Sequence, residues 1–163
     1  MTTTTPTKGA GTTFWRLKDT ATLSQISDFL ADDQWDYIAK VKEIQPGEIT
    51  VEDEDDQYLD DAEADWSKTA PGQKTAGDLS LTLAWMPGDP AQQQLYKDLE
   101  TGKVTHYRTK FPNGTVDIDY GYINGWGKAV AQKERMTRTI KIKKVGKPMT
   151  AEEIIAAAAG PGA

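Results

Sequence analysis

The chain has 163 residues, no cysteine and a formal net charge of −6, with 25 acidic residues against 19 lysines and arginines. That length fits one domain with a core of its own, and the missing thiols exclude disulfides, a cysteine nucleophile and thiolate metal sites. An acidic balance argues against a general nucleic-acid binder, and no apolar run reaches the ~18 residues of a membrane span.

Residues 1–13, MTTTTPTKGAGTT, are rich in Thr and Gly and lack an apolar h-region. They read as a flexible N-terminal arm rather than a secretory signal. Residues 14–148 read as the folded β domain and 149–163 as a short C-terminal extension, helical at most. Phe14–Lys18 is a strand candidate, whereas Thr20–Asp33 is ambiguous between a short helix and a loop. Trp35–Ile44 alternates, with Trp35, Tyr37, Ala39 and Val41 on one side, and predicts one half-buried strand. Gln45-Pro46-Gly47-Glu48 predicts a turn, and Ile49 and Val51 resume a strand, completing a hairpin.

From Glu52 to Ala76 no period survives, and the segment reads as a long acidic loop. Asp78–Trp85 alternates cleanly through Leu79, Leu81 and Leu83. Asp89-Pro90 then supplies an N-cap and N1 pair, and a helix runs to Thr101 with Leu95, Tyr96 and Leu99 on its apolar face, ended by Gly102. Val104–Phe111 and Thr115–Tyr122 flank Pro112-Asn113-Gly114, where Asn-Gly predicts a hairpin with a type I′ turn. Trp126–Ala131 and Met136–Val145 complete seven or eight strands. The fold class is mainly β: an antiparallel β-sandwich or barrel with one flanking α-helix.

Charge is segregated along the chain. Between Lys42 and Lys68 lie eleven acidic residues and no lysine or arginine; from Lys103 to Lys147 eleven basic residues face only Asp117, Asp119 and Glu134. Each run alone is commonly a solvated face. Together they make the chain electrically complementary to copies of itself.

No catalytic constellation competes with that reading. His106 is the only histidine and sits in a strand pattern. Asp53, Asp55 and Gln57 echo the first positions of a calcium loop, but Tyr58 occupies the place of its glycine and no helices flank it. Asp117 and Asp119 share a strand face, which is more commonly a solvated acidic stripe than an acid/base pair. Gly121, Gly125 and Gly127 lie in a strand pattern, not before a helix, so they form no phosphate loop. The expectation is no enzyme and no cofactor or metal.

Several strings occur in a specific order: Lys8-Gly-Ala-Gly-Thr-Thr13, Ala39-Lys-Val-Lys42, Pro46-Gly-Glu48, Asp55-Asp56 through Tyr58-Leu59-Asp60-Asp61, Ala64-Asp65-Trp66, Gly77-Asp78, Leu83-Ala-Trp-Met-Pro-Gly88, Phe111-Pro-Asn-Gly-Thr-Val-Asp117, Gly127-Lys-Ala-Val130 and Val145-Gly-Lys-Pro148. As an ordered set, spanning about Lys8 to Pro148, they resemble the major tail protein, or tail tube protein, of phage lambda and related long-tailed phages. The resemblance implies a virion tail protein, assembled in the host cytoplasm, whose hexameric rings stack into a non-contractile tube. That tube would enclose a tape measure protein, meet tail-tip initiator and tail terminator proteins, and conduct DNA without binding it. It also implies that the long loop, here Glu52–Ala76, becomes ordered on stacking. The immunoglobulin-like C-terminal domain of the lambda protein has no counterpart here, so decoration by it is not expected. The Asp19–Gln34 segment has no clear counterpart.

On this basis the inter-ring docking loop is expected at Glu52, Asp53, Glu54, Asp55, Asp56, Tyr58, Leu59, Asp60, Asp61 and Trp66. Its basic counter-surface is expected at Lys128, Lys133, Arg135 and Arg138, and the acids lining the bore among Glu43, Glu48, Asp117 and Asp119. Three other classes compete: a tube ring of a secretion system, a monomeric binding module with an acidic docking loop, and a metal-dependent hydrolase.

Overall fold

Nine strands and three α-helices follow one another in the computed structural model, which describes residues 5–21, 23–24 and 26–159. They are β1 (Thr13–Leu17), α1 (Ile26–Leu30), β2 (Trp35–Ile38), β3 (Val41–Gln45), β4 (Ile49–Asp55), β5 (Thr69–Ala76), β6 (Leu79–Ala84), α2 (Pro90–Thr101), β7 (Thr105–Lys110), β8 (Val116–Ala129), β9 (Thr137–Lys144) and α3 (Ala151–Ala159). Seven of the strands form one antiparallel sheet in the order β2-β1-β7-β8-β9-β6-β3, while β4 and β5 pair only with each other.

The two edge strands of the large sheet, β2 and β3, are separated in sequence by only Ala39 and Lys40. The Cα atoms of Ile38 and Val41 therefore lie at most about 11 Å apart. An open flat sheet of seven strands cannot meet that limit, so the sheet rolls until its edges approach, giving a barrel-like body. Lys40 turns this corner with φ 60°, the one positive-φ non-glycine among the described residues.

The rolled sheet encloses Phe14, Ile38, Leu79, Leu81, Leu83, Tyr107, Ile123, Ile140 and Ile142, and α2 adds Leu95. On β6 the period of two is plain: the three leucines are fully buried, and Ser80 and Thr82 face the other way. Each such leucine stabilises the fold by roughly 1.5–3 kcal/mol. Helix α2 forms as its sequence dictates, with the Asp89 side chain accepting from the Gln92 amide at 3.4 Å, Pro90 in the first turn and Gly102 closing at φ 68°. Asp98 locks the helix to β1 by a forked pair with Arg16, at 2.5 and 2.9 Å, both side chains at most 2% exposed.

A second cluster lies on the opposite face of β1 and β7–β8, built on Leu17, Trp35, Val116 and Ile118. The segment that was ambiguous in sequence covers it with Ala21, Leu23 and Phe29, and α3 adds Ile154, 3% exposed. Arg108 is fully buried here, beneath the rings of Trp15 and Trp35, and donates to the carbonyls of Phe29 and Ala31 and to Asp32. Beyond β9, Met149 forms a bridge with Ile118, taking the place along β8 that β9 has vacated.

Several expectations need correction. Trp35–Ile44 is two strands at opposite sheet edges, because the backbone kinks at Lys40 and runs on in the same sense along the other edge, and Tyr37 ends up half exposed. The turn at Gln45–Glu48 makes no hairpin between β3 and β4; it carries the chain out of the large sheet into the small one. Glu52–Ala76 is not an irregular loop, since its two ends form the β4–β5 ladder. The strand after Asn113-Gly114 continues without interruption to Ala129 through a bulge between Ile123 and Gly125. The turn before it is not type I′, because only Gly114 has positive φ (87°). The Gly114 amide donates to the Phe111 carbonyl and the Phe111 amide to Thr115, a type I turn closed by a left-handed glycine. Residues 1–4 of the expected N-terminal arm lie outside the described residues; Gly9–Thr12 form a turn held by the Thr12 amide and hydroxyl on the Gly9 carbonyl.

Candidate functional site

Strands β4 and β5 form an arm that stands off the body. Every residue of β4 is exposed, and neither strand pairs with the large sheet. A two-stranded ribbon with no packed face is marginal in water, so its rigidity has to come from its root. There the Gly77 amide donates to the Glu48 carbonyl at 2.8 Å. A side chain on Gly47, at φ 82°, would stand 2.6 Å from the Asp78 carbonyl oxygen, and one on Gly77 would stand 2.9 Å from that of Glu48. Two glycines thus let the outgoing and returning backbones touch. Lys144 fastens the root to the body, donating to the Pro46 carbonyl while pairing with Asp119 at 3.4 Å.

The arm's tip is built from local turns. The Asp56 amide donates to the Lys68 carbonyl, the Tyr58 amide to the Asp61 carboxylate at 3.0 Å, and the Asp61 amide back to Tyr58. This small turn leaves Leu59 wholly exposed, with Tyr58 at 62% and Trp66 at 71%. Large apolar side chains held in water on a self-contained turn are the feature of the surface that most calls for a partner. Among the described residues, none of the arm's acids pairs with a lysine or arginine.

The basic residues occupy the other end of the body. Strand β6 starts beside the arm's root and ends at Ala84, opposite Thr137 of β9 and close to the end of β8. Six residues of strand separate the two ends by about 20 Å. The β8–β9 connection therefore projects from the end opposite the arm's root, carrying Lys133 and Arg135, with Lys128 near the end of β8 paired opposite Arg138 near the start of β9. Lys128 sits over the Trp85 ring at 4.2 Å and Arg138 over Trp126 at 4.7 Å. Neither has a carboxylate partner among the described residues. One chain thus presents an acidic, apolar-tipped arm at one end and unpaired cations on aromatic platforms at the other.

Residues 18–151 match the family described as the lambda phage tail tube protein, TTP. The chain belongs to the lambda phage tail tube protein family. It is a structural tail tube protein, a component of the virion tail. No curated protein sequence matches it. Among solved structures it is similar to the SPP1 tail tube, with 16% identity, 92% of this chain and 86% of that one covered and a TM-score of 0.57. It is also similar to a chain of the native gene transfer agent virion (13% identity, 74% and 91% covered, TM-score 0.59). A third likeness is to the sheath/tube terminator of an extracellular contractile injection system, PVC, in its extended state (7% identity, 90% and 97% covered, TM-score 0.64). At such identities these likenesses show the fold alone.

For this tail tube protein, two of the four acids expected to line a bore do not stand on an open face. Asp119 is 3% exposed and bound to Lys144, and Asp117 accepts from the Ala151 amide at 2.7 Å, capping α3. Burial pushes both carboxyls above the usual range, opposed by Lys144 for Asp119 and chiefly by the Ala151 amide for Asp117. The strand pattern placed them on one face correctly but could not show what covers it. Glu43 and Glu48 are exposed. Asp53 and Asp55 belong to β4, and no cluster of metal-ligating side chains occurs among the described residues. His106 packs against the Tyr120 ring, tilted, at 4.6 Å, and burial lowers its pKa. Among the described residues no helix is long and apolar enough to cross a membrane.

Sequence reasoning missed the groove between α2 and the β8–β9 end, where Trp85, Tyr96 and Trp126 converge. Tyr96 was placed on the helix's apolar face with Leu95. It lies at the margin of that face instead, 47% exposed and 5.7 Å from the Trp126 ring.

Proposed function

We propose that the protein forms hexameric rings that stack head to tail into the tube of a long, non-contractile phage tail. The tube encloses a tape measure protein and later passes DNA to the host. The observation that carries this is the placement of the acidic arm and the basic β8–β9 end at opposite ends of one rigid body. Such a pair cannot be satisfied within one molecule. It joins unlike surfaces of successive copies, and contacts of that kind close into rings or extend without limit.

In this reading the residues Glu52–Trp66 dock on the neighbouring ring opposite Lys128, Lys133, Arg135 and Arg138. Exposed ion pairs contribute only ~0–1 kcal/mol each, so Tyr58, Leu59 and Trp66 supply the affinity while the charges set register and orientation. The open edges of β2 and β3 are available to pair with neighbouring subunits and close the ring. Glu43 and Glu48 remain the candidates for a bore that repels DNA. Tail-tip initiator and tail terminator proteins would cap the two ends, each using one of the unlike surfaces.

The likeness to injection-system tubes supports a second reading, a ring that conducts protein, because the fold alone does not separate the cargoes. The family match favours the phage tube. Negative-stain microscopy with light scattering, across a dilution series of purified protein, tests the proposal. Rings and open tubes growing with concentration are expected. A monomer at every concentration, even with the cognate tail-tip complex added, contradicts it.

A further inference from the structure

The arm's apolar tip needs a receiving surface, and charged residues alone do not provide one. The groove between α2 and the β8–β9 end, about 490 Å³, has Trp85, Pro87, Tyr96 and Trp126 in its lining. It lies at the end of the body opposite the arm's root. Arg138 and Lys97 line it as well, and Lys128 sits on the Trp85 ring beside it. Its one carboxylate, Glu100, lies one helical turn from Tyr96 on α2. The tip has the complementary make-up, with Tyr58, Leu59 and Trp66 exposed among Asp55, Asp56, Asp60, Asp61, Glu63 and Asp65.

We infer that this groove is the socket for the arm tip of a second copy of the chain, with Leu59 inserted among the aromatic rings and the tip's acids against Arg138, Lys97 and Lys128. Apolar side chains enclosed by aromatics with a charged rim are the arrangement that makes a few residues dominate an interface. Aromatic faces also hold the two cations outward, where an incoming carboxylate meets them without a loss of side-chain freedom at that moment. The inference rests on the stacking proposed above and names the site at which it happens. It differs from docking on the β8–β9 connection, where Lys133 and Arg135 offer charge and no pocket.

Cysteine cross-linking tests it, with a clean background because the chain has no cysteine. Ala62, which lies on the tip beside the Tyr58–Asp61 turn and has no docking role, Gln93 and Arg135 are all exposed, so substitution leaves the body intact. The double variant Ala62→Cys with Gln93→Cys, in the groove's lining, is assembled and mildly oxidised. A second double variant, Ala62→Cys with Arg135→Cys, samples the β8–β9 connection. The expected result is a ladder of covalent multimers on a denaturing gel from the first pair, at least about 10-fold more intense than from the second. Assembly by light scattering with a ladder only from the second pair, or from neither, overturns the socket and leaves the stacking reading standing. A chain that never assembles contradicts the stacking reading and takes the socket with it.

Discussion

The body and the arm of this protein obey opposite rules. The body buries two apolar clusters and pairs its interior cations in place, Arg16 with Asp98 and Arg108 with Asp32 and two carbonyls. The arm buries almost nothing, keeps ten like charges between Glu48 and Asp65, and holds its largest apolar side chains in water. On the proposed function, stability resides in the first and assembly in the second. A molecule divided in this way can lose one property and keep the other.

The largest expected effect follows from that division. Replacing Tyr58, Leu59 and Trp66 together by Ala raises the concentration needed for assembly on the order of 100-fold or more. Thermal unfolding of the monomer stays where it was, because exposed substitutions change stability by roughly 0.5 kcal/mol or less. Loss of folding in this variant would mean that the arm belongs to the body after all.

Asp98→Ala makes the opposite break. It leaves the buried Arg16 guanidinium with only the half-exposed Asp19 carboxylate and the Leu17 carbonyl, and loosens α2 from β1, at a cost of about 3 kcal/mol, the lower end for a broken buried pair. Urea denaturation of the monomer reads this directly, with the slope unchanged and the midpoint lowered. Gly47→Ala acts at the junction, forcing a Cβ at φ 82° against the Asp78 carbonyl for roughly 1–3 kcal/mol. It also re-aims the arm, so assembly weakens more than stability. Equal weakening of both would show that the root is only a structural turn.

The smallest effect concerns pH. Burial lowers the pKa of His106, so the folded protein prefers the neutral ring. Its contribution is complete above the ordinary value of about 6.5 and is lost as pH falls through the lower folded value. His106→Gln should flatten the stability profile just below pH 6.5 and leave assembly at neutral pH untouched. A profile unchanged by the substitution would place the acid sensitivity elsewhere in the body.

What could be read from sequence follows the same boundary. The body's strands were legible wherever one face is buried, as in Leu79, Leu81 and Leu83 against Ser80 and Thr82, and the caps of α2 were local chemistry at Asp89, Pro90 and Gly102. The arm's ladder was not legible, because neither face of β4 is buried and a period of two in hydrophobicity cannot form there. Strand order was hidden for another reason. The kink at Lys40, which moves the chain from one sheet edge to the other, is a backbone event that an alternating Trp35, Tyr37, Ala39, Val41 pattern conceals. The arm's acids and the basic run were plain as composition, whereas their placement at opposite ends depends on β6 joining the two, which is topology. The aromatic groove combines Trp85, Tyr96 and Trp126 from three elements, and no local pattern announces such a convergence.

The most direct test of the arm's role is amide hydrogen exchange, followed by mass spectrometry, on the monomer and on the assembled tube. Residues 49–76 should exchange quickly in the monomer and become strongly protected in the tube, while β6, β9 and α2 are protected in both. Protection of the arm already complete in the monomer, or still absent in the tube, would contradict the account.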